Sequence, residues 1–191
     1  MAIMEFKQIT DEEEKKHLYR TRYKVFVDVM GDKNHYPDRL YVDPGNVDDW
    51  ALHFACYEGA DILGGVSLLL KSMAPDGYLP VEKDNDLVCE KESCEFTNLI
   101  MVDEYIGNNL LKRGRVLRGL AKTVFEAVKD NSLTHAYLEA HHLVKPLYNG
   151  LGFEQVGPLH TYKTYFQTFP MKGSFESIKN SGLMKLGLLS T

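Results

Sequence analysis

The stretch that decides the fold is Cys94-Glu-Phe-Thr-Asn-Leu-Ile-Met-Val102. Polar and apolar residues alternate in its first half, and the second half is apolar throughout, which is typical of a strand covered on both faces. Glu95 lies inside this strand, and burying a carboxylate is costly unless it faces a polar cleft. We therefore expect Glu95 to have a function, although a surface acid at a strand end would give the same pattern.

The residues that follow predict a helix over 113–129, a strand over 134–140, a short helix and another strand. A strand, a crossover helix and a parallel strand form a right-handed unit, and ligands bind where the carboxyl ends of neighbouring strands diverge. The short helix ends in Tyr148-Asn-Gly-Leu-Gly-Phe153. Without further context, Tyr148 could be a half-buried helix residue and Gly152 a helix C-cap.

This segment resembles the last conserved segment of the Gcn5-related N-acyltransferase superfamily. In that superfamily the tyrosine lies beside the thioester sulfur, and the glycine lets the chain turn sharply into the next strand. The resemblance covers roughly residues 5–169. It implies an α+β fold in which a twisted, largely antiparallel mixed sheet of about seven strands has a parallel pair at its centre and helices on both faces.

Size and composition suit one soluble domain. The chain has 191 residues, enough for a core without disulfides or metals. We divide the predicted domain, 1–191, into an acceptor and acyl-pocket half (1–93), an acyl-donor half (94–169) and a C-terminal tail (170–191). The tail has an amphipathic pattern around Phe175, Ile178 and Leu183, which would cap the acyl pocket or merely pack.

Charge and cysteine content exclude several classes of protein. The net charge of −5 argues against a general nucleic-acid binder. Three cysteines are an odd number, and their spacing does not suit a metal, so we expect reduced thiols and no metal site. No signal peptide or membrane span is evident, which predicts a cytoplasmic location. The sequence does not indicate an oligomeric state.

The first helix carries an arginine on its apolar face. A capping box, Thr10 to Glu13, opens this helix, which we expect to run to Val29. The fragment 19–27 resembles the opening helix of acyl-homoserine-lactone synthases and N-acyl amino acid synthases. That resemblance implies that Arg22 and Phe26 border the acceptor pocket; alternatively, Phe26 is core and Arg22 extends its charge to the surface.

Two further segments resemble parts of these synthases that bind the acceptor. The long loop 31–50 is acid-rich, and the resemblance points to Asp43, Asp48 and Asp49, although loop acids are usually just solvated. On the strand 62–70, Ser67 stands where the synthases have an arginine. An acceptor that needs that positive charge is therefore not expected.

The central strand resembles the Glu-x-Ser-Arg strand of the same synthases. Here it reads Glu95-Phe-Thr-Asn98, with Asn98 in place of the arginine. Together with Ser67, this difference favours the N-acyl amino acid synthases over the homoserine-lactone synthases. His141, at the end of the next predicted strand, matches a histidine of the N-acyl amino acid synthases and is a further candidate to line the acceptor site.

The resemblance implies acyl transfer from a thioester to an amine. Glu95, directly or through water, would remove a proton from the acceptor ammonium, and backbone N–H groups near a splay in the central strand would stabilise the oxyanion. Tyr148 would protonate the departing thiolate. This mechanism requires no covalent enzyme intermediate.

The helix after the central strand would hold the acyl donor. Superfamily members that use acetyl-CoA open this helix with a glycine pattern that binds pyrophosphate. Here the pattern is broken and rich in cations, which favours an acidic acyl carrier protein, although a solvated helix face would also explain the charges. The predicted donor residues are Val102, Lys112, Arg113, Gly114, Arg115 and Arg118.

We therefore predict an N-acyl amino acid synthase-like enzyme with no permanently bound cofactor. Its co-substrate would be acyl-phosphopantetheine on acyl carrier protein, or acyl-CoA, and its acceptor a small-molecule amine. Three alternatives stay open: an acyl-homoserine-lactone synthase, an acetyl-CoA-dependent N-acetyltransferase, and a non-catalytic module that binds an acyl carrier or lipid.

Overall fold

The computed structural model describes residues 3–43, 46–162 and 166–181. The chain divides into two compact units, each built from two segments. The first unit comprises Met1–Leu68 and Asn98–Ala127, and the second comprises Leu69–Thr97 and Val128–Thr191. The functional halves predicted from sequence stay predictions.

The first unit opens with a strand and a helix and continues through two more strands. Its elements are β1 (Met4–Ile9), α1 (Glu12–Tyr23), a π-helix (Lys24–Val29), short 3-10 turns at Pro37–Arg39 and Val47–Asp49, β2 (Ala51–Glu58), most of β3 (Asp61–Leu70), the second half of β4 (Ser93–Met101), α3 (Asp103–Ile106) and most of α4 (Leu110–Asp130). The strand order is β1-β2-β3-β4, and β1 and β2 are antiparallel.

The second unit carries the parallel pair of strands. Its elements are a 3-10 turn (Lys71–Met73), α2 (Pro80–Asn85), the first half of β4, β5 (His135–His141), α5 (Lys145–Gly150), β6 (Glu154–Gln155), β7 (His160–Tyr162), β8 (Phe166–Ser174) and α6 (Phe175–Asn180). The strand order is β4-β5-β8-β6, with β7 also paired to β8. Strands β4 and β5 are parallel, and β8 is antiparallel to β5, β6 and β7. The predicted mixed α+β fold is thus confirmed.

The core of the first unit packs α1 and the π-helix against the strands. Leu18, Ile62 and Ile100 belong to one buried cluster, and Phe26 packs against it. The glycines of β3 allow this close approach, because a Cβ at Gly65 would lie 2.9 Å from Leu18 Cδ1. Phe26 therefore contributes to the core, as the alternative interpretation of its sequence position expected.

The start and end of the first helix differ from the sequence prediction. The N-cap is Asp11 and not Thr10, because the Asp11 carboxylate accepts the backbone N–H groups of Glu13 and Glu14 at 2.9 and 3.1 Å. The α-helix ends at Tyr23 and continues as a π-helix to Val29. Gly31, with φ of +80°, then terminates it as predicted.

The sequence also predicts a closing pair of strands, 154–159 and 162–169, and these boundaries are wrong. Three strands form here, because Pro158 has no N–H to donate and separates β6 from β7. Strand β8 continues through Pro170, whose carbonyl accepts the N–H of Val156 at 2.9 Å. Leu183 of the predicted tail pattern lies outside the described residues, whereas Phe175 and Ile178 are buried in α6.

Gly152 meets two requirements that only glycine satisfies. Its φ is +88°, and a Cβ there would lie 2.9 Å from the backbone oxygen of Ser177 at α6. This residue therefore both ends α5 and lets the chain turn towards β6, so both interpretations of its sequence position hold.

All three cysteines are buried and free of disulfides, as expected. None of the helices in the described part of the chain has the length and hydrophobicity needed to cross a lipid bilayer.

Candidate active site

A buried polar network surrounds Arg22 in the first unit. Arg22 is fully buried, and its Nη1 donates to Asp48 Oδ1 at 2.7 Å. Its Nη2 donates to the Ser67 hydroxyl and lies 3.2 Å from His53 Nδ1. The guanidinium is therefore directed into the protein, and the interpretation of Arg22 as a surface charge is wrong.

His53, on β2, completes this network and was not identified from the sequence. Its Nδ1 lies 2.8 Å from Ser67 Oγ, and its Nε2 lies 3.2 Å from the hydroxyl of Tyr19. Burial, and then the nearby Arg22 charge, lower the pKa of His53 to about 4, so the imidazole is neutral at pH 7. A single histidine in an apolar strand gives no motif by which sequence reasoning would find it.

Two of the candidate loop acids, Asp43 and Asp48, are buried and bonded, whereas Asp49 is exposed. Asp48 Oδ2 accepts the backbone N–H of Asp43 at 2.7 Å, and Asp43 Oδ2 accepts the side-chain amide of Asn98. The structure thus brings Arg22, Asp43, Asp48, Ser67 and Asn98 into one hydrogen-bonded network. These residues were predicted to bind the acceptor, and that role stays a prediction.

Asn98 also marks a local distortion of β4. Its φ is +52°, which is rare for a residue with a side chain in a strand. The parallel pairing of β4 with β5 reaches only Phe96↔Leu138, although β5 continues to His141. The interruption of the ladder and the unusual backbone therefore lie within two residues of one another on β4.

Glu95 precedes this interruption and is held by α2. It is 2% exposed, and its Oε2 accepts the N–H of Val81 at 2.9 Å. The position of α2 depends in turn on Glu82, whose Oε2 accepts the N–H of Leu79 and whose Oε1 accepts from Lys71 Nζ at 2.6 Å. The buried Lys71–Glu82 pair thus indirectly positions Glu95, and the irregular sequence there gave no sign of it.

Tyr148 and His141 belong to the second unit with Glu95. Tyr148 lies in α5 directly after β5, and burial raises the pKa of its phenol, so the phenol is protonated at neutral pH. His141 ends β5, and its Nδ1 accepts the N–H of Leu143 at 3.3 Å. Burial lowers the pKa of His141, and the neighbouring His142 lowers it further through charge repulsion.

The cations predicted to bind the donor fall into two groups. Lys112 is paired with Glu58 at 2.7 Å, and Arg113 with Asp103 at 2.6 Å. Arg115 and Arg118 are exposed, and within the described residues no acid lies within ion-pair distance of either. These two arginines are three residues apart and therefore share one face of α4.

Gly114 and Val102 also differ in their surroundings. A Cβ at Gly114 would meet no atom within 4 Å, so the helix backbone there is open to an approaching ligand. Val102 is buried, and its N–H donates to the carbonyl of Leu63 at 2.9 Å. Because that N–H is already bonded, Val102 is poorly suited to bind a donor through its backbone.

No group of three or more potential metal ligands occurs in the part of the chain that the structure describes.

Several solved structures share this arrangement of elements. The acyl-homoserine-lactone synthase LasI superposes with a TM-score of 0.71 at 10% identity, covering 95% of this chain and 97% of that one. The CoA-dependent synthase BjaI gives 0.70 at 13% identity over 100% and 92% of the two chains. FeeM, an N-acyl amino acid synthase from uncultured soil microbes, gives 0.65 at 13% identity over 97% of each.

The chain has the N-acyltransferase fold. Both branches suggested by the sequence, homoserine-lactone and N-acyl amino acid synthases, are represented among its structural relatives. No protein-family model matches the sequence, and no curated protein matches it either. At 10–13% identity this likeness shows the fold.

Proposed function

We propose that this chain is an N-acyltransferase that transfers an acyl group from a phosphopantetheine thioester to an amine. The observation that carries the proposal is the buried Glu95 carboxylate, fixed by the Val81 N–H near the end of the parallel β4–β5 ladder. Ligands in such sheets bind where neighbouring parallel strands part, and the β4–β5 ladder ends one residue after Glu95, at Phe96↔Leu138. Burying a carboxylate is costly, and buried carboxylates are common at functional sites.

Glu95 acts as the base in the proposed reaction. It removes a proton from the acceptor ammonium, and the free amine attacks the thioester carbonyl. The amide N–H groups beside the distorted Asn98 backbone stabilise the oxyanion. Tyr148, whose phenol is protonated at neutral pH, donates its proton to the departing thiolate.

The acceptor is an amino acid in this proposal, and the donor is acyl carrier protein. Ser67 is buried and bonded to Arg22 and His53, so it supplies no positive charge of the kind that an arginine would. This favours N-acyl amino acid synthesis over lactone synthesis. The exposed Arg115 and Arg118 favour an acidic carrier protein over coenzyme A.

The test is product formation by the purified protein. Acyl carrier protein and CoA thioesters of several chain lengths are offered with a panel of amino acids, and mass spectrometry identifies any N-acyl product. Glu95→Gln should lower turnover roughly 100- to 10,000-fold without loss of folding, because a positioned base contributes about that much. Glu92→Gln, at an exposed acid just before β4, is the matched control.

The variant Tyr148→Phe tests the proposed role of Tyr148 as the acid independently of the role of Glu95 as the base. Turnover should fall with alkyl thioesters, whose thiolates need a proton, and much less with aryl thioesters, whose thiolates leave unaided. Binding of the acyl donor with no turnover by the wild-type protein would instead indicate a non-catalytic module. Acetyl transfer from acetyl-CoA alone would indicate an ordinary acetyltransferase.

A further inference from the structure

One face of the sheet in the second unit carries a row of polar residues. In-register partners on neighbouring strands point to the same face, and residues two apart on a strand do so as well. Glu95 pairs with Tyr137, so Glu139 and His141 of β5 share the face of Glu95. The pairings His141↔Thr168 and His160↔Thr168 extend the same row across β8 to β7.

Glu139 is the unexplained member of this row. Its side chain is 5% exposed, and its Oε1 accepts from the side-chain amide of Asn85 at 2.6 Å. Its Oε2 is buried and has no hydrogen-bond partner among the residues that the structure describes. Leaving a buried carboxylate oxygen without a partner is costly, so such a group requires an explanation.

The helix α2 links Glu139 to Glu95. Asn85 Nδ2, which donates to Glu139, also donates to the carbonyl of Val81 at 3.0 Å, and the Val81 N–H donates to Glu95. Both carboxylates are therefore bonded to the same short helix and lie on the same face of the sheet. Glu139 comes directly after Leu138, where the parallel ladder ends.

His160 lies between Glu139 and solvent. Its Nε2 is 3.5 Å from Glu139 Oε2, and its side chain is 23% exposed. Its Nδ1 lies 3.5 Å from the carbonyl of Pro158, which favours the tautomer with a proton on Nδ1 and a lone pair on Nε2. In this tautomer Nε2 is able to take a proton from the carboxyl group of Glu139.

We propose that Glu139 and His160 form a proton relay that carries the proton released in each acyl transfer from the buried site to solvent. The inference rests on the proposed function. Glu95, at 2% exposure, has no direct contact with bulk water through which to lose a proton. The Glu139–His160 pair supplies a partly exposed exit on the same face of the sheet.

The proton balance of the reaction requires such an exit. An ammonium group with three protons becomes an amide nitrogen with one, so two protons leave the nitrogen. One of them ends on the thiol that departs, and the N–C bond forms as the C–S bond breaks. The other must reach solvent once in every turnover, and no oxidant or reductant is involved.

The surroundings of Glu139 suit a group that is protonated and deprotonated in turn. Burial raises the pKa of Glu139 above its usual value, and the charge of Asp84 adds to this effect. The hydrogen bond from Asn85, the nearby Thr168 hydroxyl and the charge of His160 oppose it. Distances of 3.5 Å without substrate are common for catalytic hydrogen bonds that shorten when substrate binds.

Chemical rescue tests the relay. His160→Ala should lower turnover roughly 10- to 100-fold at saturating substrate, and added imidazole should restore a large part of it, because free imidazole replaces the missing carrier. Glu139→Gln should show a similar loss that imidazole does not restore. A residue that only stabilises the fold would not respond to imidazole.

The matched control is His135→Ala. His135 is 26% exposed, shares the face of Glu139, and lies 3.8 Å from Glu90, but it is at the opposite end of β5. Its turnover should be unchanged with or without imidazole. A second readout needs no activity: carboxyl ¹³C NMR should show the pKa of Glu139 rising further in His160→Ala, because the charge of His160 lowers it.

The outcomes are distinguishable. Full turnover in His160→Ala, or a loss that imidazole leaves unrestored, would overturn the relay and leave the proposed acyl transfer intact. An unchanged titration of Glu139 in His160→Ala would also overturn it. If the wild-type protein forms no N-acyl product with any donor, the proposed function fails and the relay fails with it.

Discussion

Arg22 shows how a charge is accommodated inside the first unit. Its guanidinium is shared among a carboxylate, a hydroxyl and a neutral imidazole, from Asp48, Ser67 and His53. Removing one partner of a buried ion pair typically costs 3–5 kcal/mol, because the other charge remains buried. The network therefore depends on His53 staying uncharged, which makes it sensitive to pH.

The first prediction concerns this sensitivity. Because the pKa of His53 falls from 6.5 to about 4 on folding, the unfolded chain binds more protons in that window. The unfolding free energy therefore has its full value above pH 6.5, where His53 is neutral in both states. It decreases as the pH falls towards 4, because only the unfolded chain takes up the proton easily. At about 1.4 kcal/mol per pH unit, the loss is about 3 kcal/mol.

Urea unfolding at pH 7.5, 5.5 and 4.5 measures this effect. The unfolding free energy of the wild-type protein should fall more steeply than that of His53→Gln over this range. The unfolding free energy of His135→Gln, at a histidine whose side chain is 26% exposed, should change with pH as that of the wild-type protein does. Parallel curves for the wild-type protein and His53→Gln would show that His53 does not control the pH dependence.

At the scale of single elements, α4 has one closely packed position and one open position. Its glycines have opposite surroundings: a Cβ at Gly119 would lie 2.1 Å from the ring of Phe6 on β1, whereas one at Gly114 would meet nothing within 4 Å. The sequence shows two glycines in one helix, five residues apart. It does not show that one contacts a strand and the other is open.

The second prediction compares alanine at these two positions. Gly114→Ala should stabilise the protein by about 0.5–1 kcal/mol, since alanine favours the helix and no atom is displaced. Gly119→Ala should destabilise it by about 1–2 kcal/mol, because overpacking against Phe6 exceeds the gain in helix propensity. Thermal unfolding of both variants measures the difference, and equal melting temperatures would mean that the Phe6 ring moves aside freely.

The π-helix and the distorted strand β4 are also properties of elements. Sequence periodicity predicts one regular helix to Val29, because α and π turns place apolar residues at similar spacings. Insertion of a π turn depends on how Phe26 and its neighbours pack against the core. Asn98 likewise appears in the sequence as an ordinary strand residue, and only the register with β5 shows where pairing stops.

At the scale of the whole molecule, the net charge of −5 contrasts with the exposed arginines of α4. An acidic partner is repelled by the protein as a whole and attracted by this one helix face. Such contacts are exposed, so they should weaken with salt, since the Debye length is about 8 Å at physiological ionic strength. The proposed docking of an acidic carrier protein therefore rests on the local charge of α4 and not on the total charge.

The third prediction tests that docking surface. The double variant Arg115→Glu/Arg118→Glu should raise the KM for acyl carrier protein roughly tenfold at low salt, and the difference should shrink as salt is added. Acyl-pantetheine, which carries no carrier protein, should be used equally well by both proteins. Lys33→Glu/Lys91→Glu makes the same change in net charge at exposed lysines and serves as control. An equal rise in KM for this control would assign the effect to net charge alone.

The sequence by itself determined the order of the main strands and helices, the parallel pair of strands and the place of Glu95 on the first of them. These features follow from local periodicity, turn residues and a resemblance in spacing, and each of these signals lies within a short segment of the sequence. The tertiary structure alone decided that Asp43 and Asp48 are buried, that His53 joins Arg22, and that Glu139 retains an oxygen without a partner. Those facts depend on contacts between residues distant in sequence, and a contact of that kind leaves no periodic signal in either segment.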